Sequence, residues 1–217
     1  MAYSKFRLAE RERFCIGGPI GAIELIVDFP RNEPRGVALI GHSHPLLGGA
    51  SEDKVTHTLA TTLSERGYVA LRPSFRGTGS TEGVHDKGYG ECDDMLAVHD
   101  YASRRYRNLP ISLAGFSFGA FVQSKVAKRL KEVGNAPKQM VLVSTALGNV
   151  RNVRFYDTES VQANSIIIHG TMDDRVPFQT VLNWAENQDL TVVAVPGAGH
   201  FFDGHLQLLR QAIESSV

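Results

Sequence analysis

The sequence predicts an α/β fold: a three-layer sandwich whose mostly parallel sheet carries helices on both faces and opens with antiparallel strands. Three observations carry this. Short apolar runs of strand length alternate with longer amphipathic ones, the pattern of a parallel sheet covered by helices. The 217 residues suit a single domain, 1–217, large enough to bury a core without disulfide or metal staples. No low-complexity tract, internal repeat or linker interrupts the alternation.

The elements follow in order. Residues 13–16 and 22–29 are extended runs flanking Gly17-Gly18-Pro19, a turn signal, and so form an antiparallel pair. Residues 37–41 read as a buried strand. Residues 53–66 are a helix, with Val55, Leu59 and Leu63 on one face and Gly67 closing it. Residues 68–72 form a strand that stops at Pro73. The next helix spans 89–106, with Tyr89, Cys92, Met95, His99, Ala102 and Tyr106 on one stripe. A strand at 111–114 leads into a helix at 118–133, whose Phe118, Val122, Val126 and Leu130 share a face. Strands at 140–144, 165–169 and 190–195 and helices at 178–187 and 204–214 complete the series. In such a sheet, ligands bind at the carboxyl ends of the strands.

Composition excludes several classes. Lys plus Arg and Asp plus Glu each total 23, so the chain lacks the cationic surplus of a nucleic-acid or acidic-membrane binder. Cys15 and Cys92 are too few for a metal cluster or a disulfide scaffold. The first 13 residues contain no apolar stretch, arguing against a signal peptide, and no run reaches the roughly 18 apolar residues of a membrane span. A soluble, cytoplasmic protein is expected, as a monomer or a homodimer.

Gly115-Phe116-Ser117-Phe118-Gly119 matches G-x-S-x-G, with a strand before it and a helix after it, the context that motif requires. A strand turning sharply into a helix strains the central backbone, and side chains two positions to either side would collide. The serine then projects above the sheet at a helix N-terminus, where the Phe118 N–H can donate to an oxyanion. The plainer alternative is a Gly-rich turn with an N-cap serine. A serine nucleophile needs a base held by an acid, and in a sheet-based hydrolase these follow in the order Ser, Asp/Glu, His. After the strand at 165–169 come Asp173 and Asp174; after the strand at 190–195 comes the glycine-rich loop that presents His200. His205 competes weakly, because it falls inside the last helix. The second oxyanion donor belongs in the loop after the strand at 37–41, where Pro45 is excluded for want of an N–H.

Four motifs in order extend this. They are His42-Ser43-His44-Pro45, Arg76-Gly77-Thr78-Gly79-Ser80, the Ser117 elbow, and Gly197-Ala198-Gly199-His200-Phe201-Phe202. Over nearly its whole length the chain resembles the α/β-hydrolase superfamily, and within it the compact, capless bacterial hydrolases and carboxylesterases. Ser43 departs from the proline common in the first motif. The resemblance implies that Asp173, matching the first aspartate of the family's acid segment, is the triad acid, with Asp174 solvated or capping the following helix. It implies His44 as the backbone donor beside Phe118, with Leu46 second.

The implied activity is hydrolysis of carboxylic esters through Ser117, Asp173 and His200, with an acyl-enzyme intermediate, a small-molecule ester substrate and no cofactor. A thioesterase, peptidase or acyltransferase using the same triad is the alternative, and a non-catalytic binding protein of the same fold the remaining one. His42 and His44 invite a metal reading, but Pro45 to Gly49 offer no further ligand. Gly77 and Gly79 have the spacing of a dinucleotide loop, but Glu82 stands at its third glycine, so a tight surface loop near the pocket is preferred. Cys92, beside Asp93 and Asp94, reads as packing. Only the interval 145–164 is free to build a cap, which is too short for a domain. An open, shallow site is therefore expected, favouring short-chain esters or the protruding end of a large substrate. Phe116, Phe118 and Phe155 are candidate lining residues, with ordinary core or surface packing the even alternative.

Overall fold

The computed structural model describes residues 10–150 and 153–217. The expected leading segment lies largely outside the described residues, as do two positions of the interval expected to lack a cap. The chain begins with β1 (Arg11–Gly17) and β2 (Ala22–Asp28), paired antiparallel across the glycine turn. Then come β3 (Gly36–Gly41), α1 (Lys54–Glu65), β4 (Tyr68–Pro73), α2 (Tyr89–Arg105), β5 (Ile111–Phe116), α3 (Phe118–Glu132) and β6 (Met140–Val143). The interval after β6 holds two-residue strands, β7 (Gly148–Asn149) and β8 (Phe155–Tyr156), paired antiparallel. β9 (Ile166–Gly170), α4 (Phe178–Glu186), β10 (Thr191–Val195) and α5 (Leu206–Glu214) finish the chain. Each expected element is present, with bounds within two residues. The short β7–β8 ribbon and a 3₁₀ turn at Pro45–Leu47 were not expected.

Among the described residues the main sheet has eight strands in the order β1-β2-β4-β3-β5-β6-β9-β10, parallel from β4 to β10. The chain moves outward from β3 to β4, then crosses back over β3 to add β5. The order therefore reverses between β3 and β5, and the loops leaving those strands open a crevice at their carboxyl ends. Register fixes the crevice: Ile40 pairs Ala114 and Gly41 pairs Gly115, so the chain leaves both strands at the same level.

Side-chain alternation divides the core between the two sheet faces. Leu39, Leu113 and Leu142 pack with α2, α3 and α4, including Met95, Val122, Val126 and Val181. Ile40, Ala114 and Val141 pack on the other face with Leu59 and Leu63 of α1 and Leu209 and Ile213 of α5. The expected stripe on α2 is buried from Cys92 to Ala102, but Tyr89, at the first turn, is exposed and lies beneath the Lys125 ammonium. Asp53 caps α1 by accepting the Thr56 N–H at 2.8 Å. His205 is the N-cap of α5 rather than an interior residue, because a turn through Phe202 delays the helix. The interval after β6 holds only loop and the β7–β8 ribbon among its described residues, so no cap domain covers the sheet edge. No helix among the described residues is long and apolar enough to cross a membrane.

Candidate active site

Ser117 joins β5 to α3 with φ 53° and ψ −113°, a conformation that costs an ordinary residue about 1–3 kcal/mol. Its neighbours hold it there. A Cβ on Gly115 would lie 2.6 Å from the Ala120 nitrogen, and one on Gly119 would lie 2.2 Å from the Gly41 carbonyl oxygen. The Ser117 N–H donates to the Val143 carbonyl at 2.9 Å, tying the elbow to β6.

The acid and histidine loops converge on this serine. His200 Nε2 stands 3.0 Å from Ser117 Oγ, and His200 Nδ1 stands 2.8 Å from Asp173 Oδ2. All three residues are buried. Since a carboxylate only accepts, Nδ1 carries the ring proton and Nε2 is left to accept from the hydroxyl. Asp173 Oδ1 accepts the Arg175 and Val176 N–H groups, each at 2.9 Å. His169 Nε2 lies 2.9 Å from the Val176 carbonyl and 3.3 Å from Asp173 Oδ2, so one imidazole N–H braces both. Burial alone would raise the Asp173 pKa; the His200 ring, the Val176 N–H and His169 outweigh it and hold the carboxyl below its usual value. Asp174 is exposed, and α4 has Pro177 as its N-cap residue with no side-chain cap, so of the two alternatives for this residue it is the solvated one.

Of the residues expected to supply oxyanion donors, His44 lines the same cleft as Ser117 and Phe118 follows Ser117 in the chain. Phe118 is the first residue of α3, and its N–H has no intrahelical carbonyl to bond. The His44 N–H makes no hydrogen bond among the described residues, whereas the Leu46 N–H is taken by His44 Nδ1 at 3.2 Å. The Leu46 N–H is thereby engaged. The His44 ring packs on Phe118 at 5.0 Å and on His85 at 4.7 Å, so the two donor residues hold each other in place. Sequence reasoning did not find His85, whose contact with His44 spans two loops.

His42 anchors the floor of the crevice. Its Nδ1 donates to the Ser43 carbonyl at 2.7 Å and its Nε2 accepts the Phe75 N–H at 2.9 Å. Both ring nitrogens are thereby committed, leaving no lone pair for a metal. Among the described residues no three His, Cys, Asp or Glu side chains gather as a metal site. Burial pulls the His42 pKa from 6.5 down to about 4, with the His44 ring adding to the shift and Asp53 and Ser43 opposing it. The unfolded chain therefore takes up a proton between pH 6.5 and about 4 that the folded chain refuses, and stability falls as pH drops through that window. The expected loss from this group by pH 5 is on the order of 1–2 kcal/mol. Thermal unfolding at pH 7.5 and pH 5 checks it, and a Tm that stays level across the window would count against a neutral buried His42.

The loop over residues 77–83 is closed upon itself and β2: Thr78 Oγ1 donates to the Phe75 carbonyl at 2.6 Å, and Glu82 accepts the Ala22 N–H at 2.7 Å. Arg76, just before it, pairs with Asp94 at 2.8 Å and with the Gly90 carbonyl at 2.7 Å, pinning the loop to α2. None of the loop's residues is in the lining of the cleft over Ser117, and the loop braces His42 from behind through Phe75. Cys92 is buried and its thiol pKa is raised by burial, as packing requires.

A cleft of about 380 Å³, its mouth included, opens over Ser117 and His200. Its apolar wall is Leu47, Ala146, Val150, Val153, Tyr156 and Phe201. Four of these come from the short interval after β6, so the segment that replaces a cap supplies the wall. None of the three expected phenylalanines lines it. Phe116 and Phe118 are core residues at 0% exposure, and Phe155 is 60% exposed. In the two-residue β8 successive side chains point oppositely, which sends Phe155 outward and Tyr156 inward. The remaining lining includes Ser43, His44 and one cation, Arg175, which sequence reasoning did not single out.

Comparisons with known proteins agree with this architecture. A family model described as X-Pro dipeptidyl-peptidase (S15 family) matches residues 47–149, under half of the chain. An α/β serine hydrolase homologue from Coxiella burnetii is 33% identical, with a TM-score of 0.84 over 98% of this chain and 100% of that one. A serine hydrolase without lid from Xanthomonas campestris is 30% identical, with a TM-score of 0.85 over 99% of this chain and 96% of that one. An uncharacterised protein of Rickettsia prowazekii is 29% identical over 204 residues, 90% of this chain and 84% of its own length. The elbow, the sheet order and these whole-length likenesses agree, and the chain belongs to the α/β-hydrolase superfamily, in its compact capless group.

Proposed function

We propose that the protein is a serine hydrolase that cleaves carboxylic esters with short acyl chains through Ser117, His200 and Asp173. The observation carrying this reading is the continuous hydrogen-bonded chain from Ser117 Oγ through His200 to Asp173. His200 Nε2 takes the hydroxyl proton as Ser117 Oγ attacks the ester carbonyl. The carbonyl oxygen becomes an oxyanion within reach of the Phe118 and His44 N–H groups, while Asp173 stabilises the imidazolium. His200 returns the proton to the departing alcohol, leaving an acyl-enzyme. Water, deprotonated by His200, attacks that ester, and collapse frees the acid and restores Ser117. No step calls for a cofactor.

The small apolar wall supports the reading of a short acyl group. The S15 description favours a peptidase as a second reading, yet two observations weigh against that particular chemistry. The matched segment contains Ser117 but neither Asp173 nor His200. Release of N-terminal dipeptides needs an acidic group for the free ammonium, and among the described residues the cleft lining has no Asp or Glu. A fluorophosphonate probe tests the reading: intact-mass analysis is expected to show one adduct, mapped to Ser117, with loss of 4-nitrophenyl acetate turnover in parallel. An unmodified Ser117 would favour a binding protein of the same fold.

A further inference from the structure

Among the described residues Arg175 is the one arginine or lysine in the lining of the cleft, and its guanidinium faces no carboxylate. That sets it apart. Arg11, Arg13, Arg72, Arg76, Arg129 and Arg210 each meet an acidic side chain. The nearby Lys54, whose ammonium is 5.8 Å from the Phe201 ring centre, is neutralised by Asp203. The adjacent carboxylate, Asp174, is exposed and makes no ion pair with Arg175 among the described residues, and the next, Asp173, is fully occupied: it spends Oδ1 on the Arg175 and Val176 N–H groups and Oδ2 on His200. The same contact to the Arg175 N–H fixes where its side chain leaves the backbone. The guanidinium lies 5.0 Å from the Phe201 ring centre, and that ring stands edge-on to His200, again 5.0 Å between centres. Arg175 is therefore held on a rigid aromatic platform, no farther than two such steps from the imidazole.

We propose that Arg175 is a specificity-determining residue that binds an anionic group on the substrate, making the preferred substrate an ester that carries a carboxylate or a phosphate a few atoms from its scissile carbonyl. The proposal rests on the hydrolase reading above and specifies its substrate class. A guanidinium presents parallel donors that match either anion, and stacking on an aromatic ring restricts its motion in advance. An otherwise apolar wall strengthens the interaction by excluding water from around it.

The experiment compares 4-nitrophenyl hydrogen glutarate with the uncharged 4-nitrophenyl butyrate. The wild-type protein is expected to favour the glutarate ester in kcat/KM by about tenfold or more. Arg175→Gln removes that preference, raising KM for the glutarate ester about ten- to a hundredfold while leaving butyrate turnover within about twofold. Arg175→Lys keeps part of the preference, since the charge remains and the fork is lost. Inhibition of butyrate hydrolysis by glutarate and by inorganic phosphate then separates the two anions, the stronger inhibitor naming the group. Equal use of both esters by the wild type, or an equal fall for both in Arg175→Gln, would overturn the proposal. Fluorophosphonate labelling of Ser117 and butyrate turnover report separately on the hydrolase reading, so its failure is not confused with this one.

Discussion

Ser117→Ala is expected to lower kcat for 4-nitrophenyl acetate by about 10⁴–10⁶ while leaving the protein folded. The magnitude follows from what the hydroxyl does. Without it there is no covalent intermediate, and the only remaining route is direct attack by water, with the oxyanion donors and the bound geometry still in place. Those residual features leave such variants about 10³–10⁴ above uncatalysed hydrolysis. The fold should tolerate the change, because alanine adopts the φ of 53° at the same cost as serine and nothing larger enters the cleft. Tm within about 3 °C of wild type is the control that separates lost chemistry from lost structure. Adding His200→Ala to Ser117→Ala should cost little further activity, since residues acting as a unit are not additive. A single Ser117→Ala variant that keeps more than about a tenth of wild-type kcat would place the nucleophile elsewhere.

The residues in that experiment were legible in the sequence because each announces itself locally. Gly115 and Gly119 bracket Ser117 at a strand–helix junction; Asp173 and His200 follow strands in loops whose turn residues are explicit. The fold was legible for the same reason, since strand and helix periodicities repeat often enough to be read. What escaped depends on direction or on distant partners. Tyr156 faces the cleft and Phe155 faces solvent because of the pleat of a two-residue strand, too short to establish a period. His85 touches His44 across two loops, and His169 braces Asp173 through a contact that only the turn at Val176 creates. Arg175 was visible as a charge beside the acid, but its role turns on having no carboxylate opposite it. The difference between His44 and Leu46 lies in one hydrogen bond, from the Leu46 N–H to the His44 ring, which no sequence pattern announces.

Gly119→Ala is expected to damage stability and catalysis together. The glycine sits where α3 comes closest to the end of β3. An added Cβ would lie 2.2 Å from the Gly41 carbonyl oxygen, 2.3 Å from its carbon and 2.6 Å from the His42 carbonyl oxygen. All three are backbone atoms, so no rotamer change relieves the overlap, and the strand and helix must separate. Inserted methyl groups in packed interiors typically cost about 1–3 kcal/mol, and a clash against backbone alone belongs at the upper end. For a domain of this size about 3 kcal/mol corresponds to a fall in Tm of roughly 6–12 °C. The catalytic loss follows from which parts are pushed apart. β3 leads into the loop that carries the His44 N–H, and α3 begins with the Phe118 N–H, so separating them misplaces one oxyanion donor relative to the other. Losing a single such donor has cost about 10²–10³ in kcat elsewhere, and a comparable drop is expected here with KM little changed. Gly41→Ala supplies the contrast. Its Cβ would stand 3.0 Å from the Gly119 Cα and oxygen, tight but less severe, so it should lose less stability and retain more activity. If Gly119→Ala unfolded no earlier than wild type, or lost stability without losing kcat, the close approach of β3 and α3 would not be what sets the spacing of the two donors.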